Sequence, residues 1–137
     1  MQDISNSQRA LWTFLMFTLA GPFLGALAVA GALILAPVFK LAALLPPSLP
    51  PVGASTVTSF VWSAIPATLA AIALVPMVLR RGTFGWVAAA AAGVVAVAAA
   101  SVIFPLAHPE LRFVLMVLAG IVAVGLRQIL AVAGIIR

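Results

Sequence analysis

The sequence predicts an all-α integral membrane protein: four transmembrane helices, short loops, and both termini on the cytoplasmic side (N-in/C-in). Three observations carry this. Of 137 residues, 66% are hydrophobic and 7% are charged, against about 25% charged in an average soluble domain. A soluble fold of this size could not hide so much apolar surface. The apolar residues gather in four runs, 10–36, 57–79, 84–105 and 111–130, and a helix needs about 20 residues to cross a hydrocarbon core of about 30 Å. The runs do not alternate polar with apolar, so helices, which close their backbone bonds within the segment, are expected rather than strands. The whole chain, 1–137, reads as one transmembrane domain.

The first run opens with Ser5-Asn6-Ser7-Gln8, which fits an S-x-x-Q capping box, and Trp12 follows at interfacial depth. Arg9 before the run and Ala28-Val29-Ala30 within it mimic a signal peptide, but the apolar stretch is too long for a typical h-region. It reads as a true first helix. The outer loop, 37–56, contains Pro46, Pro47, Pro50 and Pro51 in an LPP-S-LPP repeat. Proline fixes φ and lacks a donor, so this segment reads as a polyproline II strut, serving as a stiff linker or, alternatively, as a docking edge for another subunit.

The second run ends at Arg80 and Arg81, with no acid nearby. Four spans put Arg9, Arg80, Arg81, Arg127 and Arg137 on one face, and Lys40, Arg112 and Glu110 on the other. The positive-inside rule assigns the arginine-rich face to the cytoplasm, and all five arginines read as topology and lipid-headgroup residues. Arg127 lies within the fourth run, about a turn from the interface, close enough to snorkel. His108, Pro109 and Glu110 read as the N-cap, first position and first-turn acid of the fourth helix.

Small residues form rows. Gly21 and Gly25 make a GxxxG, Ser63, Ala67 and Ala71 follow at spacing four, and Ala88, Ala92, Ala96 and Ala100 form a continuous row. Such rows let helix backbones approach where no hydrophobic force drives association. Gly21, Gly25, Ala88, Ala92, Ala96 and Ala100 are therefore the expected helix-packing interface. The third span holds nine alanines, which gain little from lipid, so it is expected to be mostly covered by protein. Pro22 and Pro66 fall well inside their spans and favour kinks.

The chemistry available is narrow. There is no cysteine, and Asp3 and Glu110 are the two acids, both outside the central part of any run. That leaves no intramembrane carboxylate for proton or cation coupling and no acid–base pair. His108 stands before a proline, which disfavours a helical metal ligand. No catalytic, metal or cofactor-binding residue is assigned, and no enzyme activity is expected. The hydroxyls of Thr56, Thr58, Ser63, Thr68 and Ser101 lack a base to activate them.

The expected function is a non-catalytic accessory or structural subunit of a larger inner-membrane complex, respiratory or photosynthetic, acting through helix packing and lipid ordering. It would have larger membrane subunits and lipid as partners, no nucleic acid, and no cofactor of its own. One alternative is a homo-oligomeric channel or transporter for small solutes, lined by those hydroxyls. Another is a quinone, pigment or lipid binding module using Trp12, Phe14, Phe17, Trp62 and Trp86. Six arginines to one lysine, with heavy use of Ala, Gly and Pro, suggest a GC-rich genome and hence a bacterial inner membrane.

Overall fold

A computed structural model describes residues 3–40, 52–104 and 112–136. Among them the chain is helical throughout, with no strand. The elements are α1 (Asn6–Leu15), a π turn (Met16–Ala20), α2 (Gly21–Leu35), α3 (Val52–Arg81), α4 (Trp86–Ile103) and α5 (Arg112–Val132). Helix α1, the π turn and α2 form one continuous span, Asn6–Leu35. Four helices among the described residues are long and apolar enough to cross a membrane.

Helix α1 begins at the predicted capping box. Gln8 N–H donates to Ser5 Oγ at 3.3 Å, and Ser5 N–H donates to Gln8 Oε1 at 3.1 Å. The π turn sits directly before Pro22. A proline ring clashes with the carbonyl four residues back, and one wider turn relieves that crowding. The Gly21 N–H accordingly reaches back five residues to the Met16 carbonyl. The Thr18 hydroxyl donates to the Phe14 carbonyl at 2.8 Å within the same stretch.

Helix α3 starts at Val52, so the outer loop predicted over 37–56 is shorter at its C-terminal side. Pro66 and Pro76 both lie inside α3. Pro46, Pro47, Pro50, Pro51, His108, Glu110 and Arg137 lie outside the described residues.

The four spans run up and down around one core. Helix α4 packs most extensively on α5, α2 and α1 pack on α3, and α3 packs on α4. The seam between α2 and α5 is thinner. The largest buried side chains are Phe17, Leu74, Val78, Phe84, Leu126 and Leu130. Phe17 and Phe84 meet edge to face, with ring centroids 6.2 Å apart. These residues lie toward the end of the bundle that carries Asn6, the α3–α4 turn and the C-terminal segment, called here the terminal end.

Within this chain, 33% of the most apolar window of the third span is buried, a larger share than in the other three spans. Its inward face holds Ala89, Gly93, Ala96, Val97, Ala100 and Ser101. Its outward face holds Val87, Ala91, Val95, Ala99 and Val102. A four-helix bundle covers one face of each helix, so this outward face is not covered by the chain itself.

Candidate functional site

Two regions hold the features from which a function can be argued: the terminal end and the α2–α5 seam.

At the terminal end, α3 and α5 both stop close to Arg9. Helix α3 closes on Gly82, whose φ of +69° is a left-handed conformation that suits glycine. The Gly82 N–H donates to the Val78 carbonyl at 2.8 Å. The Asn6 side chain donates from Nδ2 to the Leu79 carbonyl at 3.2 Å, satisfying one of the last carbonyls of α3. Helix α5 closes in a Schellman motif around Gly134, with φ +73°. Ile135 N–H donates to the Leu130 carbonyl at 2.9 Å, and Gly134 N–H donates to that of Ala131 at 3.0 Å.

This hook turns Ile135 back over the bundle. Arg9 donates from Nη1 to the Ile135 carbonyl at 2.6 Å and from Nε to the Ile4 carbonyl at 3.1 Å. Arg9 is only 7% exposed. A buried charge is costly unless it is paired and hydrogen-bonded. Here the Ile4 carbonyl and the Ile135 carbonyl just beyond the end of α5 accept the Arg9 N–H groups, and a helix C-terminus carries a partial negative charge. The guanidinium therefore needs no acid.

Arg127 is used similarly. It is half-buried and donates from Nε to the Phe84 carbonyl at 3.1 Å, pinning the α3–α4 turn. The five arginines assigned from sequence to topology and headgroups thus fall into groups. Arg9 and Arg127 bond protein carbonyls, Arg80 and Arg81 are exposed, and Arg137 lies outside the described residues. Asn6, Gly82 and Gly134 were not singled out from sequence. The signal for both glycines was present, since each follows the end of an apolar run, where a helix C-cap belongs.

The small-residue rows mate mostly with one another. A Cβ built on Gly21 would stand 3.1 Å from Ala67 Cβ, and one on Gly25 would stand 3.1 Å from Ser63 Oγ. The first two spans therefore meet along both predicted rows. On α4, Ala96 and Ala100 are buried. Ala88 and Ala92 are partly buried and pack against the same core. Closest of all is the α4–α5 seam, where a Cβ on Gly93 would stand 2.6 Å from the Ala119 carbonyl oxygen.

The α2–α5 seam is open. It forms an apolar groove of about 800 Å3 between Leu24, Leu27 and Ala28 on one side and Val122, Gly125, Gln128 and Ile129 on the other. A Cβ on Gly125 would meet nothing within 4 Å. Gln128 is exposed on this groove and makes no hydrogen bond among the described residues.

Two of the hydroxyls considered for a solute path, Thr68 and Ser101, are turned to local backbone. Thr68 donates to the Ala64 carbonyl at 2.7 Å, and Ser101 donates to that of Ala98 at 2.8 Å. Thr13 does the same to Arg9 at 2.8 Å. Among the described residues, no group of three His, Cys, Asp or Glu side chains could hold a metal ion. Comparison with family models, with curated proteins and with solved structures finds no match for this chain.

Proposed function

We propose that the protein is a non-catalytic accessory subunit of a larger membrane complex, inserted by its four apolar helices and joined laterally to its partner. The observation that carries this reading is the open α2–α5 seam. Gly125 and the Gln128 amide, which makes no hydrogen bond among the described residues, face the same groove, on a helix whose one other glycine, Gly120, packs closely on α4. In lipid, a side-chain amide gains from a partner, and a bare glycine lets another backbone come close. The occupant this chemistry fits is a transmembrane helix of a larger subunit, carrying a small residue beside Gly125 and a hydrogen-bonding group opposite Gln128.

The outward Ala91 and Ala99 of α4 give a second surface on which protein would replace lipid to advantage. The positive-inside rule supports a cytoplasmic terminal end, with Arg80 and Arg81 at its edge. A bacterial inner membrane and a respiratory or photosynthetic host belong to the same proposal on compositional grounds. A second reading, a module binding a quinone, pigment or lipid tail, is favoured by the apolar lining of the same groove.

Purification of the tagged protein from its native membrane in mild detergent, followed by mass spectrometry and an absorption spectrum, tests this. Larger subunits in fixed ratio are expected. A homo-oligomer without partners would overturn the reading. A bound prenyl or pigment molecule in place of a subunit would favour the second one.

A further inference from the structure

The structure divides the arginines of the terminal end by what they bind. Arg9 and Arg127 donate to the carbonyls of Ile4, Ile135 and Phe84. Arg80 and Arg81 are exposed, and neither makes a hydrogen bond or ion pair among the described residues. They sit in the last turn of α3. Two indoles mark the depth of this end: Trp86 is 64% exposed at the start of α4, and Trp12 is 50% exposed in α1. Exposed tryptophans flanking apolar helices lie at the headgroup level. Asp3, the one acid among the described residues, is exposed and makes no ion pair there.

We infer that Arg80 and Arg81, flanked by Trp86, form a binding site for the headgroup of an anionic phospholipid. Arg9 and Arg127 take no part in it. The chemistry follows from the geometry. A guanidinium binds phosphate oxygens through parallel N–H donors. Two exposed arginines without a hydrogen bond or ion pair, consecutive in the last turn of α3 and at headgroup depth, meet lipid phosphate as the available anion, and no carboxylate of this chain competes among the described residues. Basic residues beside a membrane span favour anionic over zwitterionic lipid. The inference rests on the membrane-spanning reading above and adds a ligand class and a residue pair to it.

The test uses the full chain in vesicles of phosphatidylcholine containing a minor fraction of phosphatidylglycerol. Flotation with pure phosphatidylcholine vesicles first checks insertion. Native mass spectrometry after detergent transfer then reads which lipid stays bound. The wild type is expected to retain phosphatidylglycerol about tenfold over its share of the vesicle. The double variant Arg80→Gln/Arg81→Gln should lose that preference while still floating and keeping its helix content, because both side chains are exposed. Arg127→Gln should keep the preference.

Equal retention of the two lipids by the wild type, or a preference that survives in the double variant, would overturn the inference and leave the membrane reading standing. Loss of the preference when millimolar inorganic phosphate is added would assign the pair to a soluble anion and overturn the lipid assignment. An acidic protein held through the pair in pure phosphatidylcholine would do the same. Failure to float would overturn both readings.

Discussion

On the flank of α5 that meets α4, a Cβ on Gly93 would stand 2.6 Å from the Ala119 carbonyl oxygen and 3.0 Å from Ala123 Cβ. On the flank that faces α2, a Cβ on Gly125 would meet nothing within 4 Å. Both seams contain glycine and both are apolar. The first is a finished contact, with backbone against backbone. The second is an open groove lined by the Gln128 amide, which makes no hydrogen bond among the described residues. A small residue in a helix therefore does not by itself mark a contact made within the chain.

Substitutions sharpen the comparison. The largest effect is expected at the closed seam. Gly93→Ala places a methyl group against a carbonyl that cannot move aside, and overpacking of this kind costs about 2–3 kcal/mol. Thermal or denaturant unfolding in detergent measures it, and a change below about 0.5 kcal/mol, the range of neutral surface substitutions, would mean that the two helices are not in contact there.

Arg9 comes next. Arg9→Met keeps the bulk but leaves the Ile4 and Ile135 carbonyls without their donor, which should cost about 2 kcal/mol. Arg9→Lys should recover part of the loss, since a cation remains beside the end of α5. Equal losses for the two variants would argue against the charge.

A smaller cost is expected at the hook. Gly134→Ala forces an L side chain into a left-handed conformation, at about 1–2 kcal/mol. Hydrogen exchange at the Ile135 amide should rise with it, because that N–H closes the Schellman turn on Leu130.

The smallest effect belongs to the open seam. Gly125→Ala should change the unfolding free energy of the isolated protein by less than about 0.5 kcal/mol. A large loss there would show that α2 and α5 close over Gly125 in solution.

Much of this was legible in the sequence. The four runs mark the spans because apolar length is what a bilayer requires, and the Ser5–Gln8 box marks the first helix start because both side chains serve local backbone. The rows at Gly21, Gly25, Ser63 and Ala67 announced close approach, although only the fold shows that they meet one another. The partners of Arg9 and Arg127 were hidden for a physical reason. They are backbone carbonyls, which every residue has, so no side-chain pattern betrays them. The π turn before Pro22 was legible only as a kink, since proline dictates that a helix must adjust but not how. The groove depends on which flank of α5 each neighbour covers, and periodicity along one helix does not encode that.

The measurement that tests the account most directly compares wild type with Gly125→Leu, each purified in mild detergent from the native membrane. Thermal unfolding and quantitative mass spectrometry are run on the same samples. The account predicts unfolding unchanged within about 0.5 kcal/mol and loss of the larger subunit that it proposes for the wild type. A stable Gly125→Leu protein that keeps its full complement of partner would contradict the claim that the α2–α5 groove is where the partner docks.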